Sequence, residues 1–475
     1  MQGNKRKKRC NHTLKGLVLL VWVFFGSCSW ILAAETDRQT LKTVDDRIYV
    51  VIMLEYETWP GTVEEQMQLV QKLQEQALLG PLSEGFSLVH KFATVPAVSG
   101  WITSTAFVSA EKNSLLKDGN KLIRAIDPDV SGGVYEEDIE QRDNGGGGLA
   151  SSIPLIAADK IHELGITGKG IEVAILDSGV DSDHPDLQSA LLAEQCFCFN
   201  PGGGCCPNGS ASQTGAGSAE DDHGHGTHVS GIIASRGNIS AKGVAPGSGI
   251  TMVKMLDSNN SFYSSSDIVR ALDWLNINRP GLDVVNMSLY TNATFSETCD
   301  STYAWTQALY RAVANLTAKN VVVVAIAGNN GEAQIVTAPG CLSNVISVGA
   351  TDSDDTVARF SNSHTSVKYF APGVNIVSDA IGGGTKSMSG TSMAAPHVAG
   401  AAALIRQASP GVSNAQMMQA LSNNGVDITD WNGLTRPRIQ IYDALCSLVN
   451  CSTLGEDSPE KYMSPATLHL LLNDQ

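Results

Sequence analysis

The sequence predicts an α/β fold, a parallel β-sheet flanked by helices on both faces, preceded by a small α+β unit. Three observations predict it. Residues 171–176, 251–256, 283–288, 321–326 and 345–348 are short, nearly continuous apolar runs, as strands buried on both faces of a parallel sheet must be. Residues 225–235, 266–276, 303–319 and 392–407 intervene with helical periodicity, and strands alternating with helices make a layered α/β domain. Of the 475 residues, 43% are hydrophobic and 17% charged, below the roughly 25% of an average soluble chain, so a sizeable core can be filled. Length alone predicts about three folding units.

In chain order, Lys5, Arg6, Lys7, Lys8, Arg9 and Lys15 precede an apolar run at 17–25 and then Gly26, Ser27, Ser29, Ala33 and Ala34. That is the order of a secretory signal peptide, residues 1–34, and it predicts export to a secretory compartment or the medium. The uncharged stretch 16–34 is long enough to span a bilayer, so an uncleaved signal anchor is the alternative. Residues 35–135 hold the small unit. A strand at 48–54, a helix at 63–79, a strand at 86–95, a turn at 96–100, a strand at 101–108, a helical piece around Leu115 and a closing strand at 122–126 give βαββαβ, a ferredoxin-like order. Residues 136–152 are charged and then glycine-rich, with four glycines at 145–148, and read as a linker with a processing site. The large domain is 153–449, and 450–475 is a polar tail with a brief apolar patch at 468–472.

A net charge of -16 repels phosphate backbones and anionic lipid heads, which excludes nucleic acid as a partner class. Beyond the targeting segment stand Cys196, Cys198, Cys205, Cys206, Cys299, Cys341, Cys446 and Cys451, an even set that predicts disulfides in an exported protein. Zinc at the 196–206 cluster is disfavoured, because the spacing lacks the paired form of a zinc ribbon and the thiols would oxidise outside the cell. Sequons at Asn208, Asn238, Asn259, Asn292, Asn315 and Asn450 are glycosylation acceptors by pattern, while Asn286 lies in a buried strand and is expected to stay bare.

Ligands of such sheets bind at the carboxyl ends of the strands, so polar residues there carry the chemistry. The strand at 171–176 delivers Asp177 into Asp177-Ser178-Gly179-Val180-Asp181. On its own this carboxylate fits a turn cap better than a catalytic group. His225 opens a helix between Gly224 and Gly226, which let a neighbouring backbone approach, whereas His223, His228 and His397 read as loop or structural histidines. Ser392 falls at a helix N-terminus after Gly390, with Pro396 tolerated near the first turn. The commoner use of such a serine is an N-cap. As a nucleophile it would have its own N–H and the positive helix end aimed at any oxyanion formed by its attack. Asn329 ends the strand at 321–326 and offers amide donors without charge.

Together these residues resemble the subtilisin-like serine proteases. The resemblance rests on Asp177-Ser-Gly-Val-Asp181, His184-Pro-Asp-Leu187, His225-Gly-Thr-His-Val-Ser-Gly231, Asn286-Met-Ser-Leu289, Ala327-Gly-Asn329 and the eleven residues 390–400, and it spans about 150–449. It implies an endopeptidase acting on proteins or peptides through Asp177, His225 and Ser392, with Asn329 in the oxyanion hole and no cofactor for the chemistry. Substrate would lie extended along Ser288, Leu289 and Tyr290, near Gly328. It further implies that residues 35–135 are an inhibitory propeptide removed by self-processing, and that the active form is a monomer. Tyr290 departs from the glycine usual after Ser-Leu and should reshape the pocket wall. Asp186 matches a family calcium ligand, although residues 235–241 lack the partner loop. Cys299 with Cys341, and Cys446 with Cys451, are the bridges the resemblance favours. Only Glu332 is acidic within 328–339, which favours an apolar or broad pocket over one for Lys or Arg.

Overall fold

The computed structural model describes residues 43–44, 47–114, 121–134 and 148–454. The targeting segment 1–34, the helical piece around Leu115, residues 136–147 of the linker and the tail beyond 454 lie outside the described residues. Among those described, no helix is long and apolar enough to cross a membrane.

The N-terminal unit follows the expected order: β1 (Arg47–Leu54), α1 (Val63–Leu79), β2 (Phe86–Lys91), β3 (Ala97–Thr103), α2 (Ser104–Ser114) and β4 (Ile123–Pro128). β1 pairs antiparallel with both β3 and β4, and β3 with β2, which is the ferredoxin-like arrangement. α1 begins in a capping box, with the Thr62 side chain on the Glu65 N–H and the Glu65 carboxylate on the Thr62 N–H. One expectation fails. Residues 97–100 are strand, not turn, and the chain turns helical at Ser104, well before 108. Gly100, read as a turn glycine, is a strand glycine: a Cβ there would stand 3.0 Å from Phe86 Cζ and 3.1 Å from Leu88 Cα, so β2 packs where a side chain would go.

Past β4 the chain enters β5 (Gly132–Gly133), and after the linker come α3 (Leu149–Leu155) and α4 (Ala158–Glu163). The large domain continues with β6 (Glu172–Asp177), β7 (Leu191–Phe197), β8 (Ser212–Thr214), α5 (His225–Ala234), β9 (Gly249–Lys254), β10 (Ser261–Phe262), α6 (Ser265–Asn278), β11 (Val284–Met287), β12 (Tyr290–Thr291), α7 (Ala304–Thr317), β13 (Val322–Ile326), β14 (Ile346–Thr351), β15 (Val367–Pro372), α8 (Thr391–Ala408), β16 (Val426–Thr429) and β17 (Thr435–Arg438). Ten strands form one sheet in the order β8-β7-β9-β6-β11-β13-β14-β15-β17-β16. Pairing is parallel from β7 through β17 but antiparallel at both edges, so the sheet is mixed, where sequence predicted a parallel one. The edge strands β8 and β16 are short, without the unbroken apolar runs that mark central strands.

Two apolar layers cover the sheet. α5 and α8 bury Val229, Ile232, Val398 and Leu404 on one face. α6 and α7 bury Ile268, Leu272, Leu309 and Val313 on the other, where Val51, Met53, Phe92 and Val95 of the N-terminal unit join the same cluster. Two boundaries move. Leu149–Ser152 are helix within the large domain, since Leu149 is buried and the Ser152 hydroxyl meets His397 Nε2 at 2.8 Å. At the other end Cys451 is bridged to Cys446 and Leu454 is buried, so the domain continues past 449.

The eight cysteines among the described residues are all paired: Cys196 with Cys206, Cys198 with Cys205, Cys299 with Cys341, Cys446 with Cys451. The two expected bridges form, and the cluster at 196–206 is a doubly stapled loop.

Candidate active site

Three element ends converge at the carboxyl edge of the sheet. Asp177 is the last residue of β6, His225 the first of α5, and Ser392 lies in the first turn of α8. All three are buried. His225 Nδ1 stands 2.7 Å from Asp177 Oδ1, which also accepts the Ser178 N–H at 2.7 Å. A carboxylate on Nδ1 fixes that nitrogen as the donor, which leaves Nε2 as the basic one. The approach depends on Gly226. A Cβ at that position would lie 2.9 Å from the Gly179 nitrogen and 3.1 Å from Asp177 Cβ, so any side chain would push α5 off the Asp177 turn.

The Ser392 hydroxyl reaches the Ser288 carbonyl at 3.4 Å, and the Ser288 hydroxyl donates to the Ser392 carbonyl at 2.9 Å. Asn286 Nδ2 donates to Ser288 Oγ at 3.0 Å. The segment Ser288-Leu289-Tyr290 is thus locked to the helix that carries Ser392. Asn329 Oδ1 accepts the Thr391 N–H at 2.9 Å and its hydroxyl at 2.6 Å. With that oxygen anchored, Nδ2 is turned toward Gly390, where an added Cβ would lie 3.3 Å from it. Gly328 has φ +104, and a Cβ there would meet Thr337 Cγ2 at 2.9 Å, so the turn that presents Asn329 requires glycine. Leu289 and Tyr290 are buried, with Tyr290 in β12.

Two supporting residues escaped the sequence reading. Asp221 accepts N–H groups of His223 at 3.1 Å, Gly224 at 2.9 Å and Thr227 at 3.0 Å, and the Ser178 hydroxyl at 2.9 Å, tying the start of α5 to the Asp177 turn. Burial alone would raise its carboxyl, but these donors outweigh burial and hold it below the usual range. Lys254 is buried at the end of β9, with Nζ 2.5 Å from the Ser178 carbonyl and 2.6 Å from Asp222 Oδ1. A lone Lys inside an apolar run was its only signal. The structural role expected of the other histidines fits their surroundings. His228 Nε2 meets the Ile376 and Lys386 carbonyls at 2.9 and 3.0 Å, and burial lowers its pKa to about 3; burial lowers that of His397 to about 4.

Asp186 does not fit a calcium site. Its oxygens accept backbone N–H groups of Asn238, Ile239 and Ser240, the latter two at 2.8 and 3.0 Å. Calcium needs six to eight oxygens, whereas this loop turns hydrogens toward the carboxylate. Potential ligand atoms of His184, Asp186 and Asp379 lie within 4.8 Å of one another, a nitrogen-containing set unlike a calcium cage. Among the sequons, Asn315 is unavailable to a glycan in this arrangement, since its side chain bonds Trp59 and Thr94 of the N-terminal unit.

A serine, a carboxylate-paired histidine and an amide at the carboxyl edge of a parallel sheet define a serine hydrolase of α/β architecture. The comparison with known proteins makes the class specific. Residues 168–440 match the model of the subtilase family, and the chain belongs to that family. It is 33% identical over 432 residues to an alkaline protease of Alkalihalobacillus alcalophilus, covering 90% of this chain and 96% of the relative. It is 36% identical over 288 residues to subtilisin Savinase of Lederbergia lenta, covering 60% of this chain and 95% of the relative. It is also 36% identical over 274 residues to the minor extracellular protease Epr of Bacillus subtilis, covering 58% of this chain and 38% of Epr. The protein is therefore a serine endopeptidase with protein or peptide substrates, and a subtilase needs no cofactor for the bond-breaking step.

Proposed function

We propose that Asp177, His225 and Ser392 are the catalytic triad, with Asn329 Nδ2 and the Ser392 N–H as the oxyanion hole. The observation that carries this reading is the buried 2.7 Å bond from His225 Nδ1 to Asp177. It holds the imidazole in the tautomer whose Nε2 takes the Ser392 proton as the hydroxyl oxygen attacks the scissile carbonyl. The same proton then passes to the leaving amine, and water repeats the sequence on the acyl-enzyme. Asp177 stabilises the imidazolium without taking the proton. The resulting oxyanion sits between the Asn329 amide and the start of α8, where the helix dipole adds to both donors. Gly328 and the segment 288–290 hold the substrate, and the lack of acidic residues near the pocket other than Glu332 favours apolar or broad selectivity.

The N-terminal unit acts, in the same proposal, as a built-in inhibitor. β5 lies between β10 and β12, antiparallel to both, with Gly133 opposite Tyr290. Substrate is expected to occupy the same position as an added strand. Ser288, whose carbonyl the Ser392 hydroxyl touches, stands two residues before Tyr290, and the same count along the chain from Gly133 names position 135 as the residue before the cut. Self-processing would therefore cut between 135 and 136, at the edge of the linker. Export of the processed monomer follows from the targeting segment, with glycans on exposed sequons where the host adds them.

Labelling with a fluorophosphonate probe tests the triad. The processed protein should label and a Ser392→Ala protein should not; equal labelling of both would end the proposal. N-terminal sequencing of the processed protein should begin at Glu136, and a start elsewhere would move the cut.

A further inference from the structure

The cleft is narrower than a generic peptide requires at two adjacent positions. β5 is the middle strand of a three-stranded sheet with β10 and β12, and its neighbours bond in register: the Val134 N–H donates to the Asn260 carbonyl at 2.9 Å, and the Asn292 N–H to the Ser131 carbonyl at 2.9 Å. Building a Cβ on Gly132 would bring it 2.7 Å from Thr291 Cα and closer still to the Tyr290 carbonyl oxygen and the Phe262 ring. On Gly133 it would lie 3.0 Å from Ser261 Cα and 3.2 Å from Ser261 Oγ, and nearer again to the Asn260 carbonyl oxygen. Neither glycine lies in the left-handed region, so the crowding comes from the neighbouring strands.

Most of the obstructing atoms are backbone, and both walls are tied down. The β10 wall is braced by Asp257, whose Oδ1 accepts the Asn259 and Ser261 N–H groups at 2.9 and 3.0 Å and whose N–H donates to the Ser261 carbonyl at 2.9 Å. The β12 wall is held from behind by the Thr291 N–H on the Ala338 carbonyl at 2.8 Å. With β5 in place between them, Phe262 and Tyr290 are each 3% exposed. A methyl group at either position must displace a braced strand.

We propose that this cleft selects glycine at the third and fourth residues upstream of the bond cut, so that its substrates are extended segments carrying a Gly-Gly pair there. This rests on the triad and register proposed above. Residues 132–134, Gly-Gly-Val, are the chain's own example of such a segment.

The test uses processed enzyme from the full chain and the p-nitroanilides of Gly-Gly-Val-Tyr, Ala-Gly-Val-Tyr and Gly-Ala-Val-Tyr, with fluorophosphonate labelling in parallel. Each alanine peptide should lose about tenfold or more in kcat/KM, the scale on which a fixed wall rejects one extra methyl. Labelled enzyme that cuts all three equally, or leaves the Gly-Gly peptide uncut, overturns the glycine proposal and spares the triad. Enzyme that neither labels nor cuts any peptide overturns the triad reading and this inference with it.

Discussion

α6 and α7 on one face of the sheet and α8 on the other begin under different caps. α6 and α7 start beneath carboxylates from the N-terminal unit. Asp129 accepts the Ser265 N–H at 3.1 Å and the Ser265 and Ser266 hydroxyls at 2.5 and 2.7 Å, and Asp127 accepts the Ala304 N–H at 2.7 Å. α8, on the opposite face, starts beneath a neutral amide, Asn329. A helix N-terminus attracts anions, and a carboxylate satisfies that attraction in the ground state. An amide satisfies the backbone without supplying charge, so the start of α8 stays electropositive, as the proposed oxyanion hole requires. The difference separates a docking contact from the helix end beneath the proposed nucleophile.

The largest expected effect removes the catalytic side of the comparison. Ser392→Ala should lower kcat by about a millionfold, the loss known for the same change in subtilisin, a member of the same family. A drop below tenfold in peptide hydrolysis would remove Ser392 from the chemistry. Asn329→Ala should cost about a hundred- to a thousandfold in kcat with KM little changed, again the range known for subtilisin. Asn329→Asp sharpens the point. It restores an oxygen for Thr391 but places a charge against the oxyanion, so its kcat should fall at least as far as that of the alanine variant. An aspartate variant more active than the alanine one would mean that anchoring Thr391, not leaving α8 uncharged, is what Asn329 does.

Much of this was legible in sequence, for a physical reason. Central strands are buried on both faces and read as apolar runs, which is why 321–326 was placed almost to the residue as β13. Asp177, His225, Asn329 and Ser392 sit at strand and helix ends within glycine-bearing motifs, where close approach restricts residue choice. What was not legible depends on partners distant in the chain. Nothing near Asp129 foretells that α6, beginning at Ser265, will start against it, and Gly132 and Gly133 look like an ordinary turn until β10 and β12 close on them. The Asp186 loop misled for the opposite reason: the acid is in its expected place, but its environment supplies N–H donors in place of oxygens.

On the docking side, Asp129→Ala removes the acceptor for several donors at the start of α6 and should speed release of the N-terminal unit by about fivefold to thirtyfold, at roughly 1–2 kcal/mol for a lost cap. The readout is the time course of peptidase activity after processing. An unchanged lag would mean that the apolar contacts of Val51, Met53 and Phe92 hold the unit by themselves.

The smallest effect is in the pH dependence of that release. Burial is the largest influence on Asp127 and pushes its carboxyl up to about 6, against the lowering effect of the Ala304 N–H. Because the bound group holds its proton to higher pH than an exposed carboxyl would, its contribution to the grip is fully present below the ordinary value near 3.8 and is lost as pH rises through about 6. Asp273, also raised by burial while it accepts the Ala93 and Thr94 N–H groups, acts in the same direction. Asp127 by itself should therefore slow release at pH 4.5 relative to pH 7.5 by about twenty-fivefold, against the opposite pull of His90, whose imidazole is lowered to about 3 by burial beside Phe199 and Arg270 and so loosens the unit as pH falls. In Asp127→Asn the side-chain oxygen can still accept from Ala304 but no longer titrates, so release at pH 4.5 should speed up relative to release at pH 7.5 when compared with the unaltered protein. An unchanged ratio of the two rates in that variant would assign the pH dependence to His90 and Asp273 and leave Asp127 as a cap alone.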